Sequence, residues 1–116
     1  MANQTLKDLQ QQTCTPCEGG VEACSLDEAR SQLGELNGWT LSDDGKRIGK
    51  QWTMRNFVAG MKFLNLVADL AEREGHHPDV CLKNYREVTI ELTTHAISGL
   101  SENDFILAAK IDGLGG

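Results

Sequence analysis

At 116 residues, the chain has room for one domain that buries roughly two thirds of its unfolded surface. A net charge of −6 without any basic run excludes broad phosphate-backbone binding, so no direct nucleic-acid binding is expected. No segment approaches the roughly 20 apolar residues of a membrane helix, and Met1-Ala-Asn-Gln-Thr-Leu-Lys lacks the apolar stretch of a secretory signal, which points to the cytoplasm and to no membrane partner.

Residues 1–23 are polar, with Gln10-Gln-Gln and Gly19-Gly20. Apart from a short helix near Thr5, this stretch reads as a flexible N-terminal tail, and the folded domain is expected over residues 24–116. A chain starting near Cys24 is therefore expected to fold. Of four cysteines, Cys14, Cys17 and Cys24 cluster here. A two-residue gap can place two thiolates on zinc, but a closed site needs four ligands, so reduced thiols and no metal are the expectation. Cys81 lies in an apolar run and reads as a small buried hydrophobe.

Ser25-Leu-Asp-Glu28 is a capping box, in which the serine oxygen accepts from the third helical N–H and that residue's carboxylate reaches back. The helix it starts presents Leu26, Ala29, Leu33 and Leu36 on one face and ends near Asn37-Gly38. Trp39-Thr-Leu41, a turn at Asp43-Asp-Gly45, and Arg47 to Trp52 form a β-hairpin by alternation. From Asn56 as N-cap, Phe57, Met61, Leu64, Val67, Ala68 and Ala71 recur at helical spacing up to Gly75. Val80-Cys-Leu82 and Val88-Thr-Ile90-Glu-Leu92 read as third and fourth strands. Ser101-Glu-Asn-Asp104 opens a last helix bearing Phe105, Ile106, Leu107, Ala109 and Ile111. The order α-β-β-α-β-β-α predicts an α+β fold, a four-stranded antiparallel sheet with helices packed on one face.

The three histidines of the chain, His76, His77 and His95, fall at element boundaries. Gly75 can stop the preceding helix in a left-handed conformation and Pro78 forbids its resumption, so His76 and His77 are presented on a short stiff turn. His95 follows a strand and heads a loop, where chemistry usually sits. Imidazole has the unperturbed pKa nearest neutrality, and histidines held so close together read as a shared site. Glu72, one helical turn before His76, is placed to accept from an imidazole N–H and orient His76. Asp104 has a competing role as the cap of its own helix, Tyr85 one in packing, and Ser98-Gly99 one as an ordinary turn. Adjacent histidines on an extended turn diverge, which argues against metal ligation.

This pattern resembles the pterin-4a-carbinolamine dehydratase family: Glu72, three residues, His76-His77-Pro78, six residues, Tyr85, nine residues, His95, eight residues, then Asp104 and Phe105-Ile-Leu-Ala-Ala. The resemblance spans Leu26 to Asp112. One departure is Asp79-Val80-Cys81, where many members carry an aromatic residue. The resemblance implies a lyase that dehydrates a 4a-hydroxytetrahydropterin in tetrahydrobiopterin recycling, with a small-molecule pterin substrate and without cofactor or metal. It implies His76 and His95 as the acid/base pair, His77 as the group that orients the pterin, and Glu72, Pro78, Tyr85, Ser98 and Asp104 as binding or supporting residues. It also implies a homodimer or homotetramer, which the two sheet edges and the apolar last helix, with Phe105, Ile106, Ala109 and Leu114, independently suggest. The alternatives are a non-catalytic protein-binding module, since mammalian members serve as dimerisation cofactors of a homeodomain transcription factor, and a role in molybdopterin metabolism.

Overall fold

Alternation in the strands decides which way the sheet faces. A computed structural model describes residues 3–15 and 23–115. Strands β1 (Thr40–Leu41), β2 (Ile48–Thr53), β3 (Asp79–Lys83) and β4 (Glu87–Leu92) form one antiparallel sheet in the order β1-β2-β4-β3. Ile48 pairs with Leu92, Trp52 with Val88 and Val80 with Ile90. Because side chains alternate across a strand, Ile48, Val88, Ile90 and Leu92 share one face and are buried. Helices α3 (Phe57–Glu74) and α4 (Glu102–Asp112) bring Phe63, Val67, Leu70 and Phe105 into the same core. The opposite face carries Gln51, Thr53, Thr89 and Glu91. The α+β architecture is as expected, and no helix among the described residues is long and apolar enough to cross a membrane.

Helix α2 (Leu26–Leu33) has its capping box between Ser25 and Glu28. Ala29 and Leu36 are buried, whereas Leu26 is exposed and the polar Gln32 is buried completely. In α3, Asn56 Oδ1 accepts from Ala59 N–H at 2.8 Å, as the sequence predicts. The buried stripe, however, is Gly60, Phe63, Val67, Leu70 and Ala71. Phe57, Val58, Met61 and Leu66 are exposed, because the helix is apolar over more of its circumference than one neighbour covers.

Two further expectations need correcting. Cys81 is exposed: it pairs with Thr89 and takes the outward phase, opposite to that of Val80 and Leu82. Helix α4, expected to lend its apolar surface to a second copy, is covered within the chain, with Phe105 and Ala109 at 0% exposure and Ile106 at 2%.

What covers α4 includes the segment expected to be a tail. Residues 6–11 form α1 (Leu6–Gln11), started by a reciprocal capping box between Thr5 and Asp8. Leu9 is completely buried in the core cluster, and Gln10 Nε2 donates to the Ala109 carbonyl at 3.0 Å. One apolar pair in a polar stretch suffices here because α4 offers it a prepared surface. Leu9→Ala should therefore cost about 3 kcal/mol, as for other fully buried leucines, measured as a shift in the urea midpoint at constant slope. A change within about 0.5 kcal/mol would return this segment to the status of a tail.

Candidate active site

Two chain reversals meet at one end of the sheet. In the first, Gly75 adopts φ +67°, and the N–H groups of Gly75 and His76 both bond to the Ala71 carbonyl. A side chain at Gly75 would meet nothing within 4 Å, so the glycine serves its left-handed backbone and not close packing. In the second, β4 runs out through Thr93 into a bridge between Thr94 and Gly99, which pins the 3-10 turn His95–Ile97. At Gly99 a Cβ would lie 2.7 Å from the Ala23 Cβ. Close packing against Ala23 thus explains that glycine.

His76, His77 and His95 line one cleft of about 240 Å³, together with Thr15, Gly75, Thr93, Thr94, Ala96 and Asn103. His76 is largely buried, and its Nε2 lies 2.6 Å from Asp104 Oδ1. Asp104 is fully buried. Its other oxygen, Oδ2, accepts from Thr94 Oγ1 at 2.8 Å and from the Ser101 N–H at 2.9 Å. The same carboxylate therefore caps α4, as the sequence predicts, and also holds the His76 imidazole, a partner that the sequence does not assign to it. Thr94 also shares a hydrogen bond with Ser101 Oγ at 2.7 Å, and this buried network locks the loop before α4 to the end of β4.

Glu72 pairs with His77, not His76. Both members of that pair are exposed, so it orients His77 more than it stabilises the fold. His77 forms the ridge between the cleft and an apolar groove of about 350 Å³, lined by Leu64, Val67, Ala71, Glu72, Pro78 and Val80. Pro78 thus faces the groove. On the other side, His95 and Thr93 also border a depression of about 200 Å³ with Ser98, Lys46 and Arg47. Ser98 sits there at φ +52°. Tyr85 does not join the site. It lies at the β3–β4 hairpin tip, exposed and at φ +53°, the length of a five-residue strand from Pro78, or roughly 16 Å.

Sequence reasoning overlooked Thr94, Thr15, Asn103 and Glu74. Thr94 had a signal: it continues the inward phase of Val88, Ile90 and Leu92, where a polar residue needs a buried partner. The other three had none, because their roles depend on the docking of the N-terminal segment. Cys14 N–H donates to Glu74 Oε1 at 2.8 Å, and Lys110 Nζ to Glu74 Oε2 at 3.2 Å. Burial pushes the Glu74 carboxyl up, but the Cys14 N–H and the Lys110 ammonium outweigh it and hold the group below its ordinary value. Its contribution to stability is thus present above pH 4.5 and is lost as pH falls through the lowered pKa.

Burial, aided by the Glu74 charge, pushes the Cys14 thiol up to about 12. Burial likewise raises Cys24. Cys17 lies outside the described residues, and among those described no group of three or more His, Cys, Asp or Glu side chains is arranged to hold a metal ion. Since the thiolate is the reactive form, a maleimide at neutral pH should modify Cys81 well before Cys14 or Cys24, read by peptide mass spectrometry. Equal rates at Cys14 and Cys81 would contradict this packing. The raised Cys14 also sets an alkaline limit: the stability it reflects is intact below pH 9.0 and declines toward about 12.

Comparison with known proteins places this geometry in context. A curated relative in Aromatoleum aromaticum, whose pterin-4-alpha-carbinolamine dehydratase name is provisional, is 46% identical over 107 residues, covering 92% of this chain and 95% of its own. Pterin-4-alpha-carbinolamine dehydratase 2, mitochondrial, of Arabidopsis thaliana is 43% identical and covers 95% of this chain and 60% of its own. The crystal structure of a transcriptional coactivator/pterin dehydratase from Brucella melitensis matches with a TM-score of 0.76 at 27% identity, covering 82% of this chain and all of that one. The family profile described as pterin 4 alpha carbinolamine dehydratase matches residues 22–114, and with the three histidines gathered in one cleft the chain belongs to that family.

Proposed function

We propose that the protein dehydrates a 4a-hydroxytetrahydropterin to the quinonoid dihydropterin and water, in tetrahydrobiopterin recycling in the cytoplasm, with His76 and His95 as its proton-transfer groups. The observation that carries this reading is the convergence of all three histidines on one cleft, with His76 fixed against the fully buried Asp104. Loss of water requires a proton to leave a ring nitrogen and a proton to reach the departing hydroxyl. Two imidazoles flanking one cleft suit those transfers, one acting as base and the other as acid. Because Asp104 occupies Nε2 of His76, exchange with the substrate falls to Nδ1. His77, steadied by Glu72, orients the pterin. The test is direct: a chemically generated 4a-carbinolamine should lose water faster with the protein than without it, followed by absorbance of the quinonoid product, and an unchanged rate would reject the reading.

A homodimer or homotetramer is part of the proposal. Phe57 and Met61, one turn apart on α3, are exposed, as is Val80 on the edge strand β3, and apolar surface of this kind is what a second copy would cover. Light scattering that gives a monomer at micromolar concentration would reject this. The same surface favours a second reading, a protein-binding module that needs no chemistry, in keeping with the Brucella relative, which is described as a transcriptional coactivator as well as a pterin dehydratase. Loss of partner binding on Met61→Glu with dehydration intact would separate the two.

A further inference from the structure

A buried side-chain amide is costly unless both its ends are hydrogen-bonded. Two such amides here, Gln32 at 0% exposure and Asn103 at 5%, each turn both ends to the backbone of the N-terminal segment. Gln32 Oε1 accepts from the Gln4 N–H at 2.9 Å, and its Nε2 donates to the Gln4 carbonyl at 2.7 Å. Asn103 repeats the arrangement at Thr15: Oδ1 accepts from the Thr15 N–H at 3.0 Å, and Nδ2 donates to the Thr15 carbonyl. Between these clamps Leu9 is buried, and Cys14 is tied to Glu74. Two bidentate clamps and a buried anchor fix the path of the segment, and that path reaches the histidine cleft, which Thr15 lines. Asn103 engages both backbone polar groups of Thr15 and so fixes that residue where it lines the cleft. Residues 3–15 also precede the part of the chain matched by the family profile.

We propose that the N-terminal segment is a wall of the substrate site, with Thr15 as a specificity-determining contact to the bound reduced pterin and Asn103 as the residue that positions it. The inference rests on the dehydratase reading. In Asn103→Leu, which keeps the approximate shape but removes both hydrogen-bonding ends, KM should rise about tenfold while kcat stays within about twofold, the signature of lost binding without lost chemistry. Thr15→Trp, at an exposed position, should narrow the cleft and raise KM by about tenfold or more at an unchanged unfolding midpoint. A lowered midpoint in Asn103→Leu with wild-type KM would make the clamp purely structural and overturn the proposal, as would wild-type KM in Thr15→Trp. Calorimetric binding of 7,8-dihydropterin, which cannot lose water, separates the two levels. If wild-type protein binds this probe but does not dehydrate a carbinolamine, the dehydratase reading fails, while weaker binding of the probe by both variants still upholds the wall. Equal affinity in the wild type and both variants removes the wall whatever the turnover.

Discussion

On the proposed assignment of His76 and His95 as proton-transfer groups, His76→Ala and His95→Ala should each lower the turnover number by about 100-fold or more, since such a group typically contributes about 100- to 10,000-fold. The double variant should lose much less than the product of the two, since groups that act as a unit are not additive. His77→Ala should act mainly on KM. It is exposed and its partner Glu72 is exposed with it, so its removal should leave the fold intact. Retention of the far-ultraviolet spectrum in all three variants checks that the effect lies in the site. Wild-type turnover in both His76→Ala and His95→Ala would remove the acid/base assignment.

The second large effect is expected at Asp104. Asp104→Ala strands the Ser101 N–H, the Thr94 hydroxyl and one nitrogen of His76 around a fully buried position. Breaking such a network should cost about 3 kcal/mol or more, seen in urea unfolding. Asp104→Asn retains an acceptor but turns an amide N–H₂ toward groups that also donate. It should fold with a smaller loss and still drop turnover at least about tenfold, because the His76 ring loses the partner that fixes its orientation. Wild-type turnover in Asp104→Asn would reduce the carboxylate to a helix cap.

Local chemistry makes much of this readable from the residues alone. The caps at Ser25, Asn56 and Ser101, the left-handed Gly75 and the alternating strands each specify their element within a few positions, and so the sheet and the meeting of the histidines can be anticipated. Errors arise where a local rule meets a distant partner. Helical spacing assigns Glu72 to His76, but Gly75 breaks the helical phase, and the ring that returns to Glu72 is one residue later. Tyr85 falls between His77 and His95 in the chain, and that order does not reveal that the strand carries it to the far end of the sheet. The N-terminal segment reads as a tail because the burial of Leu9 depends on a surface formed about a hundred residues later.

The position of the β3–β4 tip has one more consequence. Asn84 and Tyr85 reverse the chain there with φ values of +50° and +53°, at the sheet end opposite the histidines. A chain broken at that tip would leave His76 and His77 on one fragment, and His95 with Asp104 on the other. On the proposed assignment neither fragment holds both proton-transfer groups, yet the paired register of β4 with β2 and β3 is the surface along which they would find each other. Dehydration then becomes a signal of strand pairing, and the enzyme a complementation reporter whose activity appears only when its two halves reassemble.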